Sequence, residues 1–172
     1  MLTIIIAVVG FLVDRVAKIL TLRYVKPVGS ISVIDGVFSF TYVENTGAAH
    51  GLFQGKVWIL AVVSAVVSVV IIWYVAKNYK KLPTWLRVAF ALILAGALGN
   101  LFDRVVYGYV IDMMQVTFIN YPVFNPADNM LVVGVVILCI FILFIDTDVF
   151  GLKKKKQQLP EEEITEKDKP EN

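Results

Sequence analysis

Cysteine and histidine are almost missing from this chain: Cys139 and His50 are the only ones. A single cysteine excludes an intrachain disulfide and any cysteine-based metal cluster. Cys139 sits in the apolar run from Val135 to Ile145 and reads as a small buried hydrophobe. Neither residue has a credible catalytic partner, so nucleophilic catalysis by a Cys–His or Ser–His pair is not expected. Charge is scarce as well. Only 17% of residues are charged and the net charge is +2, with no arginine-rich patch carrying interleaved aromatics, so no nucleic-acid partner is expected. Nothing basic precedes the first apolar run and no Ala-x-Ala site follows it, which argues for a retained helix rather than a cleaved leader.

What the chain has is hydrocarbon. It is 58% hydrophobic with a mean hydropathy of +0.76, against roughly 45–50% apolar residues in a soluble domain. A membrane helix needs about 20 mostly apolar residues. Four segments meet or approach this, at about 1–22, 57–76, 85–102 and 126–146. The first is interrupted by Asp14, Arg15 and Lys18; the second carries no charge. Lys77, Lys80, Lys81 and Arg87 lie between the second and third segments, and Lys153 to Lys156 follow the fourth. With four spans these basic clusters share one side, which the positive-inside tendency makes cytoplasmic.

The predicted fold is therefore a membrane all-α protein with a small extracytoplasmic β element. It is a four-transmembrane-helix bundle with both termini inside. One domain covers 1–150, and 151–172 is a charged, disordered cytoplasmic tail. The β element is expected within about 30–55. Partly alternating residues from Ser30 to Val43 predict two strands turning at Asp35-Gly36, lying on the outer membrane surface.

Polar residues gather at the outer ends of these segments. Asp14 and Lys18 share a helical face, as do Asn100, Asp103 and Arg104. Asn125 and Asp128 open the fourth segment, Asn45 and Gly47 precede the second, and Asp112 falls in an outer loop. Each group has a structural explanation of its own. Asp14 with Lys18 can close a helix end. Arg104 suits a helix C-terminus, Asn125 and Asp128 are good cap residues, and Gly47 suits a tight turn. All of them meeting at one depth favours function, because carboxylates beside lipid are costly. Two neighbouring carboxylates cannot both ionise comfortably. The charged one can take a proton from water while the protonated one donates to a carbonyl oxygen or leaving amine, with no metal and no cofactor. Lys18 and Arg104 can hold nearby carboxylates or carbonyls. On spacing alone Asp103 rivals Asp112 for this role.

The motifs resemble those of the prokaryotic lipoprotein signal peptidase family, signal peptidase II. They are Asp14-Arg15-Val16-Ala17-Lys18, Glu44-Asn45-Thr46-Gly47-Ala48-Ala49, the run Gly96 to Arg104, Val110-Ile111-Asp112 and Phe124-Asn125-Pro126-Ala127-Asp128. They occur in the family's order over about Met1 to Ile145. The resemblance implies an aspartic endopeptidase of the bacterial inner membrane, with its active site on the extracytoplasmic side. It would remove signal peptides from diacylglyceryl-modified prolipoproteins just before the lipidated cysteine. Asp112 and Asp128 would be the catalytic pair. Asn45, Gly47, Asn100, Arg104 and Asn125 would shape the site, supported by Asp14, Lys18 and Asp103. Membrane lipids and globomycin-type inhibitors are the other implied partners, and a monomer is expected because the site is complete within one chain. His50, Met113 and Asn129 depart from the family's usual residues, and the charged tail is long. The alternatives are a small transporter, a non-catalytic lipopeptide-binding relative and, ranked lower, a metal-dependent lipid phosphatase.

Overall fold

The structure, a computed structural model, describes residues 2–48 and 52–144. Helix α1 (Leu2–Leu20) runs into a π-helical turn (Thr21–Val25). Strands β1 (Ser30–Ile34) and β2 (Phe38–Asn45) follow, then α2 (Val57–Asn78), α3 (Thr84–Val106), β3 (Val110–Val116) and α4 (Pro126–Phe144).

The central element is α3, against which α1, α2 and α4 all pack. Its sequence allows this because one side after another is small: Ala89, Ala91, Ala95 and Ala97 are all buried. A Cβ placed on Gly96 would collide with the Ala127 carbonyl oxygen of α4. One on Gly134 of α4 would stand 2.8 Å from the Ala89 carbonyl oxygen. Small residues are how helices come together where lipid removes the hydrophobic drive between them. The outward faces are apolar instead: Val8 and Leu12 on α1, Val66 and Val69 on α2, Val132 and Ile140 on α4 are all exposed. Among the described residues, Val57–Asn78, Thr84–Val106 and Pro126–Leu143 are long and apolar enough to cross a membrane. Helix α1 falls outside that set. Its length of 19 residues is adequate, but Asp14, Arg15 and Lys18 interrupt it.

The two predicted strands are present, joined where Gly36 takes φ +72° and Val37 N–H donates to the Ile34 carbonyl (2.9 Å). The sheet holds a third strand that the sequence reading left as an outer loop. Strand β3 pairs antiparallel with β2, placing Asp112 opposite Val43, so the order is β1-β2-β3. Alternation did not reveal it because Val110 to Met113 are buried on both faces. The β element ends at Asn45, short of residue 55; Thr46 to Ala48 and Leu52 to Gly55 form bends and turns. Helix α3 runs four residues past its expected end at 102, so Asp103 and Arg104 lie within it. Cys139, read as buried, is exposed on α4 among lipid-facing residues. His50, Ala49 and the tail 151–172 lie outside the described residues.

Gly96→Val should lower the thermal midpoint in detergent, since overpacking a tight interface costs about 1–3 kcal/mol. Val69→Leu on the exposed side of α2 should leave it unchanged.

Candidate active site

The site is assembled around the N-terminus of α4. A helix start leaves backbone N–H groups without helical acceptors. Asn125 is the N-cap residue and Pro126 the first helical residue, where a missing N–H does no harm. Asn125 Oδ1 accepts from Asp128 N–H (3.0 Å), and Asp128 Oδ2 accepts from Asn125 N–H (3.1 Å). This is a reciprocal capping box. Asp14 Oδ1 takes the remaining Ala127 N–H (3.1 Å). The expectation that Asn125 and Asp128 cap α4 holds in the geometry.

Behind the cap is a buried set of four charges. Lys18 Nζ lies 3.0 Å from Asp14 Oδ2 and 2.7 Å from Asp103 Oδ2. Arg15 Nη2 lies 2.9 Å from Asp14 Oδ2 and 2.7 Å from Asp103 Oδ1. Two cations balance two carboxylates, the condition under which buried ions are tolerated. The Arg15 guanidinium also stands over the Phe102 ring, 4.6 Å from its centre. Asp103 Oδ2 accepts from Ile111 N–H (3.2 Å), which ties β3 to α3. Gly99 must be glycine beside this network: a Cβ there would lie 2.7 Å from Asp14 Oδ2.

Three asparagine amides hold Asp112 and Asp128, and one of them, Asn100, also touches Lys18 of this layer. Asn45 Nδ2 donates to Asp112 Oδ2 (2.9 Å), and Asn125 Nδ2 donates to Asp112 Oδ1 (2.6 Å). Asn100 Nδ2 donates to Asp128 Oδ1 (2.7 Å). An amide can present either its oxygen or its NH₂, so something must choose. In each case the oxygen is held by a group that can only donate. These are Gly47 N–H for Asn45 (2.9 Å), Lys18 Nζ for Asn100 (3.1 Å) and Asp128 N–H for Asn125. Each NH₂ therefore faces a carboxylate.

Asp112 and Asp128 both line a cavity of about 350 Å³, together with Asn45, Asn100 and Arg104. Its far wall is Leu60, Val63 and Ser64 of α2 with Leu131 and Val132 of α4. Both helices pack on α3 but scarcely on each other among the described residues, so the cavity opens sideways between them. A second, more polar cavity of about 230 Å³ adjoins it, lined by Asp112 with Glu44, Thr46 and Gln54. Burial pushes the Asp112 carboxyl up to about 7, and the charge of Asp128 adds to this against the amide hydrogen bonds.

The structure thus brings together Asn45, Gly47, Asn100, Arg104, Asp112, Asn125 and Asp128. Arg104 reaches the Gly47 carbonyl (3.4 Å) at the turn after β2. Asp14, Lys18 and Asp103 form the layer beneath and do not line the cavity. Asp103, the rival on spacing, is fully buried and holds two cations and a backbone N–H. Sequence reasoning passed over Arg15 as a site residue. Its signal was a charge inside an apolar segment beside Asp14. Ser64, which lines the cavity from α2, gave no signal.

Residues 6–144 match a family model described as signal peptidase (SPase) II. A lipoprotein signal peptidase of Enterococcus faecalis is 47% identical over 132 residues, covering 77% of this chain and 80% of that protein. One from Clostridium acetobutylicum is 44% identical, covering 83% and 94%. A solved bacterial membrane enzyme superposes with a TM-score of 0.74 at 31% identity, covering 89% of this chain and 92% of that one.

Two outcomes are expected. Lys18→Met leaves two buried carboxylates short of a cation and should cost about 3–5 kcal/mol of stability, read by thermal unfolding. The raised pKa of Asp112 means the native state binds its proton more tightly than the unfolded chain. The stability this contributes is complete at pH below about 4 and is lost as pH rises through about 7. Asp112→Asn should therefore raise the thermal midpoint at pH 8 more than at pH 5. An equal shift at both would count against a carboxyl titrating in that range.

Proposed function

The chain belongs to the signal peptidase II family, and from that premise we propose that it removes signal peptides from diacylglyceryl-modified prolipoproteins through the carboxylate pair Asp112 and Asp128. The observation carrying this reading is the set of three oriented asparagine amides. They aim three NH₂ groups at two carboxylates on one laterally open cavity.

A lipidated peptide would enter between α2 and α4, with its acyl chains in the apolar part of the cavity. One carboxylate takes a proton from water as the water oxygen attacks the scissile carbonyl carbon. The other, protonated, gives its proton to the carbonyl oxygen. Collapse of the tetrahedral intermediate breaks the C–N bond. The first carboxylate gives the proton it took from water to the leaving nitrogen, which departs as the amino group of the lipidated cysteine. The second carboxylate recovers its proton from a hydroxyl of the intermediate, and the signal peptide leaves with a new carboxyl group. The pair titrates as a unit, so acid and base are roles of the pair rather than labels for one residue. Asn45, Asn100 and Asn125 hold the two carboxyl groups in place. Arg104 lines the same wall and can orient a peptide carbonyl.

In the proposed topology all four helices cross the inner membrane of a bacterial cell and both termini are cytoplasmic. Lys77, Lys80, Lys81 and Arg87 would mark the inner side. The sheet and the carboxylate pair would face outward. Residues 1–150 would form the peptidase domain and 151–172 a cytoplasmic tail. The protein would act as a monomer without a metal or cofactor, and a globomycin-type inhibitor would occupy the same cavity.

The test is cleavage of a purified diacylated prolipoprotein. Asp112→Asn and Asp128→Asn should each lose about 10²–10⁴-fold or more in rate while remaining folded. EDTA should have no effect on the parent. The rate should fall as pH rises past about 7, where the pair loses its last proton. Full activity in either variant would mean the pair is wrongly assigned. A parent that binds lipopeptide without cutting it would leave only the binding function.

A further inference from the structure

A second groove runs along the opposite side of α3, between α1 and α2, away from the carboxylates. Two cavities of about 390 Å³ and 600 Å³ share Ile4, Ile72 and Leu94, so they form one continuous channel. From Leu94 to Val106 it follows α3 for about 18 Å at 1.5 Å per residue. As with α2 and α4, α1 and α2 both pack on α3 but scarcely touch each other among the described residues. The walls are apolar along the whole length, except at the end nearest the α2–α3 loop, where Thr3 and Tyr79 lie.

Thr3 is unusual. It is only 5% exposed, yet its Oγ1 has no hydrogen-bond partner among the described residues. Hydroxyls inside helices of this chain bond back one turn: Thr21 to the Ala17 carbonyl (2.9 Å) and Ser68 to the Ser64 carbonyl (2.7 Å). Thr3 is the second residue of α1, which begins at Leu2, so no turn of that helix precedes it. A buried hydroxyl left unpaired is costly, so this one is available to an acceptor that a ligand in the groove would bring.

The charge at this end fits an anion. Lys77, Lys80, Lys81 and Arg87 fall in the sequence from the end of α2 to the start of α3, beside the groove residue Tyr79, and no aspartate or glutamate occurs between Glu44 and Asp103. The ion pairs among the described residues involve only Arg15, Lys18 and Lys26 as cations. The Arg87 guanidinium stands 5.1 Å from the ring centre of Tyr79, a groove residue. Its Nε is buried without a partner. A basic loop that only set topology would not need an unsatisfied hydroxyl inside an apolar channel beside it.

We infer that this groove is a binding site for one anionic glycerophospholipid of the adjacent leaflet. An acyl chain lies between α1 and α2, Thr3 Oγ1 donates to a glycerol ester oxygen, and the phosphate meets the lysines and Arg87. The site is separate from the lateral cavity at Asp112 and Asp128, and it does not depend on the peptidase reading.

The test uses the full-length chain in detergent, titrated with dioleoyl phosphatidylglycerol or dioleoyl phosphatidylcholine. Retention is read by native mass spectrometry and thermal stabilisation in parallel. The phosphatidylglycerol should be retained preferentially as a single copy and should raise the midpoint, as a ligand of the native state does. Thr3→Val should weaken it about three- to tenfold. Lys80→Gln and Arg87→Gln should each weaken it about fivefold. Ile72→Trp, at a residue lining both halves of the groove, should block it. Equal retention of both lipids would overturn the proposal. So would a preference that survives Thr3→Val and Ile72→Trp, because it would then be surface attraction alone. Thr3→Val changes no volume of consequence, so the test stands even if Ile72→Trp fails to fold.

Discussion

The Lys18 ammonium is the contact on which the outer half of the molecule depends. It projects from α1 and touches Asp14, Asp103 and Asn100. Through Asp103 it reaches β3, whose Ile111 N–H that carboxylate accepts. Through Asp14 it reaches the start of α4 at Ala127. One buried cation thus fixes where three helices and a strand meet. Such an ion is tolerated only with its charge and hydrogen bonds accounted for. Arg15 supplies the second positive charge against the two carboxylates. The same requirement dictates Gly99, since any side chain there would push Asp14 off its partners.

Stability and chemistry draw on the same groups. Asp128 is the third residue of α4 and closes its capping box, and one of its oxygens also faces the cavity through Asn100. Asn125 caps the helix with its oxygen and holds Asp112 with its nitrogen. Asp112 differs. It has no capping duty and is almost fully buried, and its carboxyl is pushed up by that burial and by its neighbour's charge. A group kept in this state weakens the fold at neutral pH. That is the pattern expected of residues held for a reaction rather than for structure.

Much of this was legible in the residues. The apolar segments gave the helices that pack on α3, and the polar residues beside them include those that line the cavity. The i, i+3 spacing of Asn125 and Asp128 gave the cap. Three things were hidden. Strand β3 was missed because burial on both faces removes the alternation that marks a strand. Arg15 was missed because a residue's partners across helices cannot be read from spacing along one of them. The choice between Asp112 and Asp103 was invisible to pattern, since both are acids beside a membrane segment. It becomes physical only in three dimensions, where Asp103 is enclosed by two cations and Asp112 faces a cavity.

The third strand also bears on how the proposed pair would sit beside lipid. Lipid-exposed backbone must satisfy its own hydrogen bonds, which restricts hydrocarbon-spanning segments to helices and closed barrels. An open three-stranded sheet with β1 at its edge belongs at the aqueous boundary. Asp112 on β3 and Asp128 in the first turn of α4 place one carboxylate on the sheet and the other at a helix start. The Met114–Phe124 backbone pairing brings them together (2.8 and 3.0 Å). In the proposed reaction the apolar cavity between α2 and α4 would admit the acylated peptide, while the polar cavity beside Glu44 and Gln54 would admit water. Asp112 lines both. A carboxylate deeper in a helix would lack the water, and one farther out on the sheet would lack the lipid.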